Sequence, residues 1–75
     1  MKIRTLEGLH LTATMKRHIA QMIRNGMTHA ATKALRYQIT DRAENIVRVT
    51  VNKRDVDAFG RMFWRRGEYT VEVQA

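Results

Sequence analysis

The chain has 75 residues, a net charge of +7, 44% hydrophobic residues, no Cys and no Ser. This length allows one domain with a small core. The missing Cys excludes disulfides and thiolate metal sites, and the missing Ser excludes a Ser–His–Asp triad. No apolar run approaches the roughly 20 residues that cross a bilayer. A signal peptide is not indicated, because no apolar h-region follows Lys2 and Arg4. We therefore expect a cytoplasmic protein without membrane contact.

Residues 1–6 roughly alternate apolar and polar side chains, which predicts a first β-strand. Four apolar residues then recur at helical spacing: Met15, Ile19, Met22 and Ile23. Thr12 or Thr14 is a suitable N-cap for this helix, because a hydroxyl can accept a hydrogen bond from a free N–H of the first turn. Asn25 and Gly26 tolerate the left-handed conformation that commonly ends a helix. The pattern predicts a strand followed by an amphipathic helix.

After Gly26 the phase of the apolar residues changes. Restarting the helical pattern at Thr28 brings five apolar side chains to one side: Met27, Ala30, Ala31, Ala34 and Leu35. One continuous helix would instead place Lys33 among the apolar side chains of the first helix. We therefore predict a separate second helix over residues 28–38.

The polar residues 40–45 indicate a loop, after which residues 46–51 are rich in β-branched side chains and predict a strand. Residues 69–73 predict the last strand on the same grounds. The segment between these strands is ambiguous. As a helix, it would begin with Asp55 as its cap and end at Gly67; as a strand, it would lead into a tight turn at Arg66 and Gly67.

The helical interpretation of residues 55–66 is preferred. It yields one α+β domain over residues 1–75, with the order β-α-α-β-α-β and a three-stranded sheet packed on helices. The alternative is β-α-α followed by a three-stranded antiparallel meander. Both arrangements bury the β-branched strands and most aromatic residues beneath helices.

The charges are unevenly distributed. Residues 1–40 contain seven Lys or Arg and one acid, Glu7, whereas residues 41–75 contain seven Lys or Arg and six acids. Neither early helix has an acid with which to form the i,i+4 pairs of a solvated helix. Uncompensated cations attract phosphate backbones. The predicted contacts to nucleic acid are Lys16, Arg17, Arg24, Lys33, Arg36, Arg61 and Arg65.

Catalytic and metal sites are not indicated. His10, His18 and His29 have no carboxylate at a metal-ligand spacing, and the glycines are too far apart for a phosphate loop. Asp55 and Asp57 could suggest acid–base work, but residues i and i+2 of a helix do not face each other. We expect no metal, no cofactor and no enzymatic activity.

The aromatic residues allow two interpretations. Trp64 and Phe63 lie beside Arg61, Arg65 and Arg66, a mixture that can stack on unpaired bases while its cations bind phosphates. The alternative is that these rings form the core, which so small a domain needs. We assign Phe59 and Phe63 to the core and leave Trp64 between the margin of the core and an interface.

Residues 1–39 resemble the ribbon–helix–helix repressors in the order of a short basic strand, a helix, the sequence Gly-Met-Thr at positions 26–28 and a second helix. The resemblance implies a dimer whose paired strands enter the DNA major groove. Lys2 and Arg4 would then read bases, and Thr28 would lie at the end of a helix that anchors a phosphate. Residues 40–75 have no counterpart in that family.

These observations favour a small non-enzymatic protein that binds DNA or RNA, of the regulatory or accessory kind found in phages and plasmids. A homodimer would add to the burial that so small a core provides. The alternative is an inhibitor or adaptor that docks on an acidic protein surface or masks the nucleic-acid groove of another protein. Steep weakening of binding with salt would separate the first function from the second.

Overall fold

The computed structural model describes residues 1–8 and 10–74. Its elements follow in the order β1 (Lys2–Glu7), α1 (Ala13–Arg24), β2 (His29–Ala31), β3 (Leu35–Ala43), β4 (Ile46–Val56) and β5 (Met62–Gln74). The strands form one sheet in the order β1-β5-β4-β3-β2, and all neighbours pair antiparallel. The fold is therefore one antiparallel sheet with a single helix in the described residues.

Helix α1 confirms the sequence prediction, including both ends. The hydroxyl of Thr12 accepts a hydrogen bond of 3.2 Å from the N–H of Met15, and Thr12 itself is extended. At the other end the N–H of Asn25 donates to the carbonyl of Gln21, and Gly26 follows with φ of 67°. The local signals suffice here because each capping group lies within a few residues of the group it satisfies.

The core lies between α1 and one face of the sheet, which we call the inner face. It consists of Ile3, Leu11, Ile19, Ala20, Met22, Ile23, Tyr37, Val47, Val49, Val51 and Val71. Because side chains alternate along a strand, β4 directs Val47, Val49 and Val51 inward and Arg48, Asn52 and Arg54 to the opposite, outer face. In the described residues α1 packs on the inner face and no helix packs on the outer face, although the outward Thr50 is also buried.

The β4–β5 hairpin continues past the core and accounts for the elongated shape, 44 Å in the longest direction. Val56 pairs with Met62 at its far end, and residues 57–61 form the turn. Phe59 in this turn is 83% exposed, and Val56 is 61% exposed. The predicted core positions of Phe59 and Phe63 are therefore wrong, since Phe63 is also exposed and neither ring belongs to the core. The hairpin therefore projects into solvent instead of folding back over the sheet.

The predicted second helix over residues 28–38 is wrong. Residues 29–31 form β2, a short turn follows, and Leu35 begins β3. The N–H of Thr32 donates to the carbonyl of Leu35 at 2.7 Å, and Thr32 Oγ1 accepts from the N–H of Leu35 at 3.1 Å. The resemblance to ribbon–helix–helix repressors loses its basis with this helix.

The predicted helix over residues 55–66 is also wrong, and so is the alternative turn at Arg66 and Gly67. Both residues lie inside β5 and pair with β4. Asp55 does not cap a helix, since its carboxylate pairs with Arg65 at 2.9 Å. The predicted loop over residues 40–45 is too long, because β3 extends to Ala43 and only Glu44 and Asn45 form the turn before β4.

The expected α+β order β-α-α-β-α-β with a three-stranded sheet is wrong: residues 1–8 and 10–74 form a mostly β fold with five antiparallel strands and one 12-residue helix. The alternative with two helices before a meander is wrong for the same reason. The predicted strands over residues 1–6, 46–51 and 69–73 coincide with parts of β1, β4 and β5.

Candidate nucleic-acid interface

A groove runs between α1 and the edge strand β1. It is open to solvent, has a volume of about 630 Å³, and is lined by Met1, Lys2, Ile3, Lys16, Arg17, Ala20, Gln21, Arg24, Asn25 and Gln74. The helix buries Ile19, Met22 and Ile23 against the sheet, so that its opposite side turns Arg17 and Arg24 to solvent. We call this feature the basic groove.

The lining of the basic groove contains four cations, Lys2, Lys16, Arg17 and Arg24, and no carboxylate. None of the four forms an ion pair with another described side chain. Like charges held together without counter-ions produce a positive potential that attracts an anion. The groove can therefore bind phosphate groups of a ligand along its length.

The structure brings three of the seven predicted contact residues together, since Lys16, Arg17 and Arg24 all line the basic groove. Lys33 lies elsewhere, in the turn between β2 and β3, and Arg36 lies on the outer face of β3. The helix that was expected to join these two cations to the first three does not form.

The remaining two predicted contacts are in ion pairs. Arg61 Nε lies 3.1 Å from the carboxylate of Asp57, and Arg65 is paired with Asp55. Both arginines are more than two thirds exposed, so their pairs are weakened by solvent and salt. These two arginines have carboxylate partners within the hairpin, whereas the cations of the basic groove have none among the described side chains.

A second basic cluster lies on the outer face, and the sequence indicated it only in part, through Trp64 beside Arg66. The guanidinium carbon of Arg36 is 4.1 Å from the centre of the Trp64 ring. Arg54 is directly opposite Trp64 across the β4–β5 ladder, and Asn52 is opposite both Arg36 and Arg66. Residues directly opposite in an antiparallel pair share a face, so these five side chains are neighbours.

The signal for this cluster is the alternation of β4, in which every second residue from Val47 to Val51 is apolar. Extending that alternation to Lys53 and beyond would have placed Asn52 and Arg54 on the opposite face. Interpreting residues 55–66 as a helix concealed it. Lys2 was not among the seven predicted contacts. It lines the basic groove because β1 packs beside α1.

The candidate acid–base residues have structural roles. The Asp57 carboxylate accepts hydrogen bonds from the N–H groups of Phe59 and Arg61, both at 2.9 Å. The bond from the Arg61 N–H is the largest influence that holds the pKa of Asp57 below its usual value. Asp55 likewise has its charge satisfied by Arg65.

Two of the three histidines hydrogen-bond to neighbouring side chains. His18 bonds to Tyr37, and His29 bonds to Thr28. No group of three or more His, Cys, Asp or Glu residues with metal-binding geometry occurs within residues 1–8 and 10–74. In the same residues, α1 is too short and too polar to cross a membrane.

The chain was compared with protein-family models, with curated proteins and with solved structures, and none of them matches it.

Proposed function

We propose that this protein binds nucleic acid through the basic groove and does so without catalysing a reaction. The observation that supports the proposal is the set of four cations, Lys2, Lys16, Arg17 and Arg24, in one groove without a carboxylate. A phosphate backbone presents anions at regular intervals and can engage several of these cations at once. Arginine adds the possibility of paired hydrogen bonds to one phosphate.

The proposal is tested by measuring the salt dependence of binding to labelled oligonucleotides by fluorescence anisotropy. Each lost phosphate contact should lower the slope of log K against log salt by about 0.9 on duplex DNA and about 0.7 on a single strand. The variants Arg17→Gln and Arg24→Gln should each weaken binding to every sequence and reduce the slope accordingly. Circular dichroism checks that α1 is intact.

Arg42→Gln is the matched control, because it makes the same change in charge at an exposed position of β3 outside the basic groove. It should change the slope much less than Arg17→Gln. Equal losses in the control and the groove variants would mean that net charge, and not the groove, drives association. Binding that is insensitive to salt would contradict the proposal directly.

A second candidate function, docking on another protein, is favoured by the tip of the β4–β5 hairpin. Val56, Phe59 and Met62 are each more than half exposed there, next to Arg61. Exposed apolar residues beside cations suit an acidic protein surface that has an apolar centre. Capture of such a partner from a lysate should persist after nuclease treatment and at moderate salt. It should be abolished by Phe59→Ser but not by Arg17→Gln.

A further inference from the structure

We propose that the outer face of the sheet binds unpaired bases of a single-stranded nucleic acid, and that Arg36 and Trp64 form the surface on which a base stacks. This inference rests on the proposed function, because it assumes a nucleic-acid ligand, but it concerns a different surface. The five residues involved, which we call the stacking platform, are Arg36, Asn52, Arg54, Trp64 and Arg66.

Trp64 lies outside the core, on the face of the sheet that the helix does not cover. It is the one tryptophan of the chain. A large ring generally adds more stability inside a small core than at its surface. Its placement on an uncovered face is therefore better explained by contact with a ligand than by folding.

Arg36 lies against the ring of Trp64. Its guanidinium carbon is 4.1 Å from the centre of the indole, so the cation partly covers the ring. Arginine and tryptophan both offer flat surfaces on which bases stack. The pair holds such a surface in place before a ligand arrives, so less conformational freedom is lost on binding.

Three arginines lie around the Trp64 ring. Arg54 is opposite Trp64, and neither Arg54 nor Arg36 has an ion-pair partner among the described side chains. Arg66 approaches Glu68 at 3.3 Å, but both side chains are about two thirds exposed, so this pair is weak. The ring is thus surrounded by cations that can bind the phosphates on either side of a stacked base.

The chemistry selects an unpaired strand. In a duplex the faces of the bases are stacked on one another and are closed to a protein ring, whereas every base of a flexible single strand has a free face. Asn52 adds an amide that can donate to and accept from a base edge. A duplex could reach the basic groove through its phosphates but could not use the stacking platform.

Trp64 provides a direct measurement, because its fluorescence is the only tryptophan signal of the protein. Unlabelled protein is titrated with a single-stranded oligonucleotide of about 12 nucleotides, a length within the usual range of single-strand sites, and with a blunt-ended duplex of the same length. The single strand should quench Trp64 at the concentrations at which anisotropy of a labelled copy reports binding. The duplex should bind without quenching.

The variants Trp64→Ala and Arg36→Ala should each lower the affinity for the single strand about tenfold, since one lost base stack is worth roughly that factor. Their affinity for the duplex should change little. Phe59→Ala is the matched control, because it removes an exposed aromatic ring at the hairpin tip, outside the platform. If Trp64→Ala does not fold, Arg36→Ala still reports on the platform and retains the fluorescence.

The outcomes separate this inference from the proposed function. Single strands that bind without quenching Trp64, and with equal affinity for both platform variants, would overturn the stacking platform and leave the basic groove intact. Quenching that persists in Arg17→Gln with weaker overall binding would support both. Absence of binding to either oligonucleotide at low salt would overturn both proposals together.

Discussion

His18 Nδ1 and the Tyr37 hydroxyl share a hydrogen bond of 2.7 Å that joins the middle of α1 to β3. Their rings meet edge to face, with centroids 5.5 Å apart. Tyr37 is only 2% exposed, so its hydroxyl depends on this partner instead of water. The pair therefore adds a polar contact between helix and sheet to the apolar packing of α1.

Tyr37→Phe should lower the free energy of unfolding by about 1 kcal/mol, the usual net contribution of one hydrogen bond. The aromatic packing is retained, so little else changes. Urea denaturation measures the difference. His18→Ala alone and the double variant complete the cycle. Additive effects of the two single changes would show that the hydrogen bond does not contribute to stability.

Tyr37 should also make stability depend on alkaline pH. Burial raises the pKa of Tyr37 from 10.0 to about 12. The unfolded chain then loses the phenolic proton before the folded protein does, so stability falls as pH rises between these values. The contribution is fully present below about pH 10 and is lost as pH rises through about 12. Comparing denaturation of the wild type with Tyr37→Phe isolates this effect, because the variant cannot titrate there; parallel curves would contradict it.

Asp57 should hold the hairpin turn in its observed conformation. Its carboxylate accepts from the N–H groups of Phe59 and Arg61 and from Arg61 Nε. Asp57→Ala should increase amide hydrogen exchange at both residues, whereas Asp57→Asn keeps an oxygen acceptor and should have a smaller effect. Since the pKa of Asp57 is lowered on folding, mainly by the Arg61 N–H, this stabilisation is present above the usual carboxyl pKa and is lost in acid. Unchanged exchange in the alanine variant would argue against this role.

Val49 and Val56 lie on the same strand but should respond differently to the same substitution. Val49→Ala removes two methyl groups from the centre of the core, where Val49 is 1% exposed, and should cost about 2 kcal/mol. Val56→Ala, at a position 61% exposed, should change stability by less than about 0.5 kcal/mol. Thermal unfolding measures both. Similar losses would mean that the hairpin is packed in solution.

Gly8 and Gly26 provide another matched pair. Both have positive φ, 109° and 67°. A Cβ at Gly8 would lie 2.7 Å from the carbonyl oxygen of Glu68, whereas a Cβ at Gly26 would meet nothing within 4 Å. Gly26→Ala should cost about 1 kcal/mol through its backbone alone, and Gly8→Ala about 3 kcal/mol through backbone strain and the clash together. Chemical denaturation measures the two values, and an equal cost would show that β1 shifts to relieve the contact.

The second predicted helix failed because two periods coexist in residues 28–39. Ala30, Ala31 and Ala34 favour a helix by propensity, but Leu35, Tyr37 and Ile39 also alternate as in a strand. Pairing of β3 with β4 places Tyr37 beside Val51, inside the core. Burial of that ring is a tertiary effect, and it outweighs the local preference of the alanines.

The β4–β5 hairpin differs from the predicted helix for another physical reason. Between Asp55 and Arg65 both faces of the ladder are exposed or partly exposed, so neither strand shows an apolar face. Amphipathic periodicity is a signal of one-sided burial, and a projecting hairpin has no such burial to report. The pairing is instead stabilised by hydrogen bonds and ion pairs between residues that lie up to ten positions apart.

From the sequence alone came α1 with its caps, the inward valines of β4, and the cations of α1, because each depends on neighbours within one helical turn or one strand. The tertiary structure alone decided that Lys2 joins those cations in one groove and that Arg36 lies against Trp64. Both contacts connect residues distant in sequence, and the strand order β1-β5-β4-β3-β2 brings them together. Long-range pairing is set by the total burial of the sheet and helix, which no local pattern of residues contains.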